Sequence, residues 1–153
     1  FNWGPSQVES IFAYIGILSI IVQTQLLPRL ISYFGEKKLL IISLPTLALG
    51  FLLLSLTRSL PLHLFANFFI VLGNSLANPT LNALATENIE PSEYGETLGV
   101  LQSASSLGRI IGPALAGELY FVIGKNSPFH LSELILILTS TYLSRRLGAL
   151  RNN

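Results

Sequence analysis

The sequence contains no cysteine and no methionine in its 153 residues. Without cysteine it can form no disulfide, no thiolate metal site and no catalytic thiol. Without an initiator methionine, a chain that starts at Phe1 is expected to be a fragment of a longer protein. The first ten residues also lack the features of a signal peptide, so we expect a loop there.

Charged residues are scarce as well. They make up 11% of the chain, whereas 50% is hydrophobic and the mean hydropathy is +0.60. This leaves too little polar surface for a soluble domain. Residues 39–57 carry no charge and residues 59–86 carry only His63, and at about 1.5 Å per residue each run crosses about 30 Å of hydrocarbon. The sequence therefore predicts an integral membrane protein, and the net charge of +1 argues against a nucleic-acid partner.

Turn signals divide the chain into five predicted membrane-spanning helices, so the predicted fold class is all-α. Gly35 is predicted to end the first helix, Pro45 to kink the second and Pro61 to lie in the first turn of the third. The predicted helices cover approximately residues 8–34, 38–57, 62–85, 92–123 and 131–147.

Polar side chains recur inside two of these helices. In the third, Asn67, Asn74 and Asn78 are spaced seven and four residues apart and share one face. Because an amide row in hydrocarbon must face protein or water, these residues are candidate cavity-lining groups. In the first helix, Ser19 and Gln23 share a face, which we interpret as interhelical hydrogen bonding in preference to ligand contact.

The fourth predicted helix has a stripe of small residues. These residues recur every four positions and are Ala104, Gly108, Gly112 and Ala116. Such a stripe lets another helix approach closely, and we expect the partner to be a helix of the same half of the full-length protein.

A polar stripe lies beside the small one and carries Gln102, Ser105, Arg109 and Pro113. It brings a full positive charge into an otherwise apolar helix, so it is expected to face water or a partner. Gln102, Ser105 and Arg109 are candidate cavity or coupling residues. Gly108, Gly112 and Pro113 are candidate packing or hinge residues.

The cations near the helix ends predict the orientation. One side of the membrane would hold Arg29, Lys37, Lys38, Arg145, Arg146 and Arg151, and the other only Arg58 and Lys125. Because cytoplasmic loops carry the excess of Lys and Arg, the first side, which includes the C-terminus, is predicted to be cytoplasmic.

The turn at Gly35 resembles the second copy of the loop motif of the major facilitator superfamily, with Leu30, Gly35, Lys37 and Leu40 at matching positions and Lys38 beside them. Pro28, Ser32, Tyr33 and Glu36 depart from that motif, so we transfer no gating salt bridge from it. More specific matches are Asn78-Pro79-Thr80, residues 91–99 and residues 108–113, which resemble helices ten and eleven of bacterial drug-efflux members, including the tetracycline antiporters.

The resemblance implies that residues 1–153 form transmembrane helices eight to twelve of the family's C-terminal six-helix bundle. It further implies a secondary transporter, a proton-coupled exporter of small molecules in the bacterial inner membrane that works by alternating access without a cofactor or metal. Its partners would be the N-terminal half and helix seven of the same transporter. Arg109 could attract an anionic substrate, pair with a titrating carboxylate, or hold a structural position by pairing or by snorkelling to the interface.

Two other classes of function compete with transport. An intramembrane enzyme would need a nucleophile with a base or a metal set, but His63 and His130 fall near helix ends with no second histidine at ligand spacing, so we expect no catalytic residue. The other alternative is a non-transporting membrane protein or an inactive remnant of a truncated gene.

Overall fold

The computed structural model describes residues 4–149, which are almost entirely helical and contain no strand. The helices are α1 (Pro5–Ile21), α2 (Leu27–Ser55), α3 (Leu60–Thr86), α4 (Tyr94–Val122) and α5 (Ser127–Ala149). A π-helical segment, Val22–Leu26, joins α1 to α2, and a 3-10 turn, Pro91–Glu93, precedes α4. The predicted all-α fold class is confirmed, and the predicted helix limits agree to within a few residues. The loop expected over the first ten residues is wrong from Pro5 onward, since α1 begins there.

Gly35 breaks α2 at the position expected from the sequence. Its φ of 73° and ψ of 160° are not helical, and a positive φ is a conformation that glycine adopts with little strain. The break separates two membrane-crossing lengths, which we call the first arm (residues 5–34) and the second arm (residues 36–55).

The π-helical segment in the first arm was not foreseen. Pro28 has no N–H to bond the carbonyl of Thr24, and its ring would crowd that carbonyl in a regular α-helix. The Leu27 N–H bonds to the Val22 carbonyl instead, one residue farther back than in an α-helix. The helix therefore continues through Pro28 with one widened turn.

Length and composition identify two stretches of the described residues as able to cross a membrane, Pro5–Ser55 and Leu60–Thr86. The first of these holds both arms. The helices α4 and α5 are less apolar and do not meet the same criterion. At about 1.5 Å per residue both are nevertheless long enough to span about 30 Å, and short connections join them to the rest of the bundle.

The second arm and α3 pack closely and run antiparallel. A Cβ built on Gly73 would lie 2.7 Å from the Leu47 backbone nitrogen and 2.8 Å from the Ser43 carbonyl oxygen. A Cβ on Gly50 would lie 2.7 Å from the Ile70 backbone nitrogen. Glycine at these two positions therefore lets the two helix backbones approach more closely than any side chain would allow.

The first arm joins this pair through a cluster of buried apolar side chains, comprising Val22, Leu27, Leu39 and Leu76. The Tyr14 hydroxyl donates to the Leu64 carbonyl oxygen at 3.3 Å, and farther along both helices Val22 clusters with Leu76, so the first arm runs in the same direction as α3. On the other side α5 lies against α2, where the Ser140 hydroxyl is 3.4 Å from the Ile41 carbonyl oxygen.

In contrast, α4 packs loosely, and none of its residues is buried. Its half-buried residues, Thr97, Leu101, Ala116 and Leu119, lie toward its two ends. A Cβ built on Gly108 or Gly112 would have no atom within 4 Å. In the described residues α4 contacts α3 and α5 without bringing the middle of the small-residue stripe against either, so the packing partner expected for this stripe stays a prediction.

A methyl group at Gly73 should separate the second arm from α3. We expect Gly73→Ala to destabilise the purified protein by about 1–3 kcal/mol, the usual range for overpacking, because the added carbon meets backbone atoms that cannot move aside. Thermal unfolding in detergent measures this. Gly95→Ala is the matched control, since a Cβ there meets nothing within 4 Å. Equal stability of the two variants would contradict the described contact.

Candidate functional site

The predicted amide row on α3 lies on one face, but its members differ in environment. Asn74 and Asn78 are exposed, and the Asn78 side-chain nitrogen donates to the Asn74 side-chain oxygen at 2.9 Å and to the Asn74 carbonyl oxygen at 3.1 Å. Asn67 is only 8% exposed, and its amide donates to the His63 carbonyl oxygen at 2.9 Å. The row therefore divides into one packed residue and one open pair.

The open pair offers hydrogen-bonding capacity in the middle of a helix long enough to cross the membrane. The bond between the two side chains leaves the Asn74 amide nitrogen and the Asn78 amide oxygen without a hydrogen bond to any described residue. Asn82, one turn farther along the same face, is also exposed and was missed, although its spacing of four residues from Asn78 was visible in the sequence. Such groups need water, ligand or protein in a membrane.

On α4, the residues of the polar stripe are all exposed, namely Gln102, Ser105, Arg109 and Pro113. Because α3 and α4 are joined by the connection at 87–93, their residues can be compared by distance from that connection. Asn78 and Gln102 lie about 12 Å along their helices from it, and Asn74 and Ser105 about 17 Å. The two pairs therefore lie at matching distances along α3 and α4, without a hydrogen bond or ion pair between the helices at these described residues.

Arg109 lies near the middle of α4 and makes no ion pair with any described residue. An α4 centred in about 30 Å of hydrocarbon would hold Arg109 about 15 Å from either interface, farther than an arginine side chain reaches. At that placement the side chain would not snorkel, one of the alternatives that the sequence left open.

The π-helical segment exposes Gln23 and Gln25 near the centre of the first arm. Neither amide bonds to a described residue, whereas the Thr24 hydroxyl between them donates to the Ile20 carbonyl oxygen at 2.7 Å. The hydrogen bonding between helices expected for Gln23 is therefore absent from the described chain. The sequence signal for this widened turn was Pro28, four residues after Thr24.

The residues of the loop motif lie at one end of the bundle. Gly35 forms the turn, Lys38 is exposed, and the Lys37 ammonium lies 3.3 Å from a Glu87 carboxylate oxygen. This ion pair joins the start of the second arm to the residue that follows α3. Its side chains are 54% and 42% exposed, so water screens the attraction.

A pocket of about 350 Å³ opens at the opposite end, between α1 and the start of α3. Its lining residues are Gln7, Ser10, Ile11, Tyr14, Leu60 and Leu64. The Tyr14 hydroxyl is already bonded to Leu64, so the pocket offers mainly apolar contact. It was not predicted, since its residues come from segments far apart in the sequence.

Comparison with known proteins identifies one family model and several curated relatives. The family model described as Major Facilitator Superfamily matches residues 1–149. Multidrug resistance protein 2 of Bacillus subtilis (strain 168) is 28% identical over 90% of this chain and 34% of its own length. Hippocampus abundant transcript 1 protein of Homo sapiens is 29% identical over 93% of the chain and 28% of its own length.

Tetracycline resistance protein, class C, of Escherichia coli is 26% identical over 78% of the chain and 30% of its own length. The chain thus spans about a third of the length of the curated relatives that it matches. No solved structure matches it significantly.

The Lys37–Glu87 ion pair should contribute little to stability. We expect a double-mutant cycle of Lys37→Gln and Glu87→Gln to give a coupling of about 0.2–1 kcal/mol, because both groups are half exposed. Thermal unfolding of the four proteins measures it. A measured coupling free energy well above this range would show that the pair is more deeply buried in the intact protein than in the described chain.

Proposed function

Since the chain belongs to the Major Facilitator Superfamily, we propose that it forms part of a secondary active transporter that exports small molecules. The family membership and the names of two relatives, a multidrug resistance protein and a tetracycline resistance protein, support this proposal. The mechanism would be alternating access, in which one bundle of helices rocks against another around a site near the middle of the membrane.

The observation that carries the proposal is the common depth of the open polar groups on α3 and α4. Asn74 and Asn78 face outward from the tightly packed side of α3, Gln102 and Ser105 lie at the matching level of the loosely packed α4, and Arg109 lies about one turn beyond them. Exposed amides and a guanidinium are unfavourable against lipid, and they are useful where water and a polar substrate must pass. We assign these residues to one wall of the transport cavity. Asn67, on the same face of α3 but buried, would pack behind that wall.

The other wall is proposed to come from the N-terminal half of the transporter and from helix seven. In this assignment the chain supplies helices eight to twelve, and the small stripe with Gly108 and Gly112 packs against one of the helices outside it, with Pro113 beside it as a hinge. The end that carries Gly35, Lys37 and the C-terminus would be cytoplasmic, and the membrane would be a bacterial plasma membrane. The open middle of α4 is the feature that favours such a partner.

Protons are the proposed coupling ion, and export by the intact protein tests this. Cells that express it should accumulate less tetracycline or ethidium than cells with the empty vector, and a protonophore should raise accumulation to the level of the empty vector. Fluorescence of the accumulated compound measures both. Export that persists when the pH gradient is removed at constant membrane potential would exclude proton coupling. Equal accumulation with and without the protein would contradict export of these compounds.

Substituting Arg109 separates a role in transport from a structural role. We expect Arg109→Ala to lower the export rate at least about tenfold, equivalent to about 1.4 kcal/mol, with unchanged abundance in the membrane, because it removes the central charge of the polar stripe. Arg109→Lys keeps the charge and should retain part of the activity. Lys125→Ala, in the loop after α4, is the control. Unchanged export with reduced folding yield would instead assign Arg109 a structural role.

A further inference from the structure

The π-helical segment of the first arm lacks part of the hydrogen bonding of a regular helix. The Leu27 N–H bonds to the Val22 carbonyl oxygen, and Pro28 has no N–H to offer. The carbonyl oxygens of Gln23 and Thr24 therefore both lose the partner that an α-helix would give them. Helix kinks concentrate at prolines and at single π-helical turns, and both features occur here.

The segment divides the first arm into two halves that are packed differently. The proximal half, residues 27–34, contributes Leu27 to the buried cluster and packs Leu30 against it. The distal half, residues 5–21, contains no buried residue. Within the distal half, Leu18 lies one turn from the segment and is partly buried against the same cluster. Packing therefore fixes the proximal half of the arm, and the distal half is held more loosely.

Space for movement lies beside the distal half. The pocket of about 350 Å³ separates α1 from the start of α3, and its lining is mainly apolar. The Tyr14 hydroxyl bonds to the Leu64 carbonyl oxygen at 3.3 Å, which is longer than is usual for a hydroxyl donor. Gln7, which also lines the pocket, lies about 25 Å along the helix from Thr24. A bend of about 10° at the segment would therefore move Gln7 by about 4 Å.

We propose that the π-helical segment is a hinge, about which the distal half swings toward and away from the start of α3. Movement toward α3 closes the pocket, and movement away opens it and breaks the bond between Tyr14 and Leu64. The proximal half does not take part, because the buried cluster holds it against α3 and the second arm. The hinge is a property of the first arm, so it does not rest on the proposed export.

Distances between pairs of spin labels on the intact protein, measured by electron paramagnetic resonance, test the hinge. The pair Val8→Cys/Leu56→Cys reports the distal half against the end of the second arm, and Tyr33→Cys/Leu81→Cys reports the proximal half against α3. All four side chains are exposed, and this chain has no cysteine of its own. We expect two populations about 4 Å apart for the distal pair and one narrow population for the proximal pair.

Two variants should remove the hinge. Pro28→Ala restores an N–H where none exists, and deletion of Gln25 takes one residue out of the widened turn. Both changes let the segment return to a regular α-helix, so each should reduce the distal pair to one narrow population. The matched control is Pro45→Ala, because the second arm remains α-helical around that proline. We expect this control to leave both distance distributions unchanged.

The unsubstituted protein alone can contradict the hinge, whether or not the variants fold. A single narrow population for the distal pair, or equal breadth in the distal and proximal pairs, would overturn the proposal. Two populations that persist in both hinge variants would overturn it as well, and so would the same narrowing in the Pro45→Ala control.

Discussion

The close approach of the second arm and α3 at Gly50 and Gly73 is the constraint on which the other contacts depend. Lipid tails are as apolar as leucine, so helices in a membrane associate through close packing and hydrogen bonds more than through the hydrophobic effect. The two glycines place backbone against backbone, which maximises these contacts. The antiparallel pair then sets the level of the buried cluster on the first arm, of the Ser140 contact with α5 and of the Lys37–Glu87 ion pair.

The same packing buries one face of α3 against the second arm and leaves the opposite face exposed. Ser43 and Thr80, both fully buried, bond to carbonyl oxygens of their own helices at 2.8 and 2.6 Å, so tight packing leaves their hydroxyls satisfied. Asn74 and Asn78 bond to each other on the open face and retain hydrogen-bonding capacity for another molecule. Polarity alone therefore does not decide the role of a side chain here. What decides it is whether all of its hydrogen-bonding groups are paired within its own helix.

The helices and the Gly35 turn could be predicted because they follow from local rules. Charge-free runs mark the membrane-crossing lengths, and a glycine between cationic and apolar segments marks a turn. Local rules could not predict which helices pack against each other. Gly73 and Gly108 both occur in apolar helices beside other small residues, yet one touches Leu47 and the other touches nothing in the described chain. Pro28 indicates a distortion of the first arm, but the residue pattern does not specify whether the chain forms a kink or a π-helical turn there.

The contrast between α3 and α4 matches what the proposed alternating access would require of a moving interface. A helix that rocks against another bundle must break its contacts in every cycle, so extensive packing there would oppose the motion. The helix α4 has no buried residue, carries Arg109 at its centre and contacts the rest of the chain toward its ends. The second arm and α3 have the opposite character, with glycines that hold them together. A tightly packed pair beside a loosely held polar helix is the division of roles that the proposed alternating access would need, and this agrees with the proposed place of α4 at the boundary with the rest of the transporter.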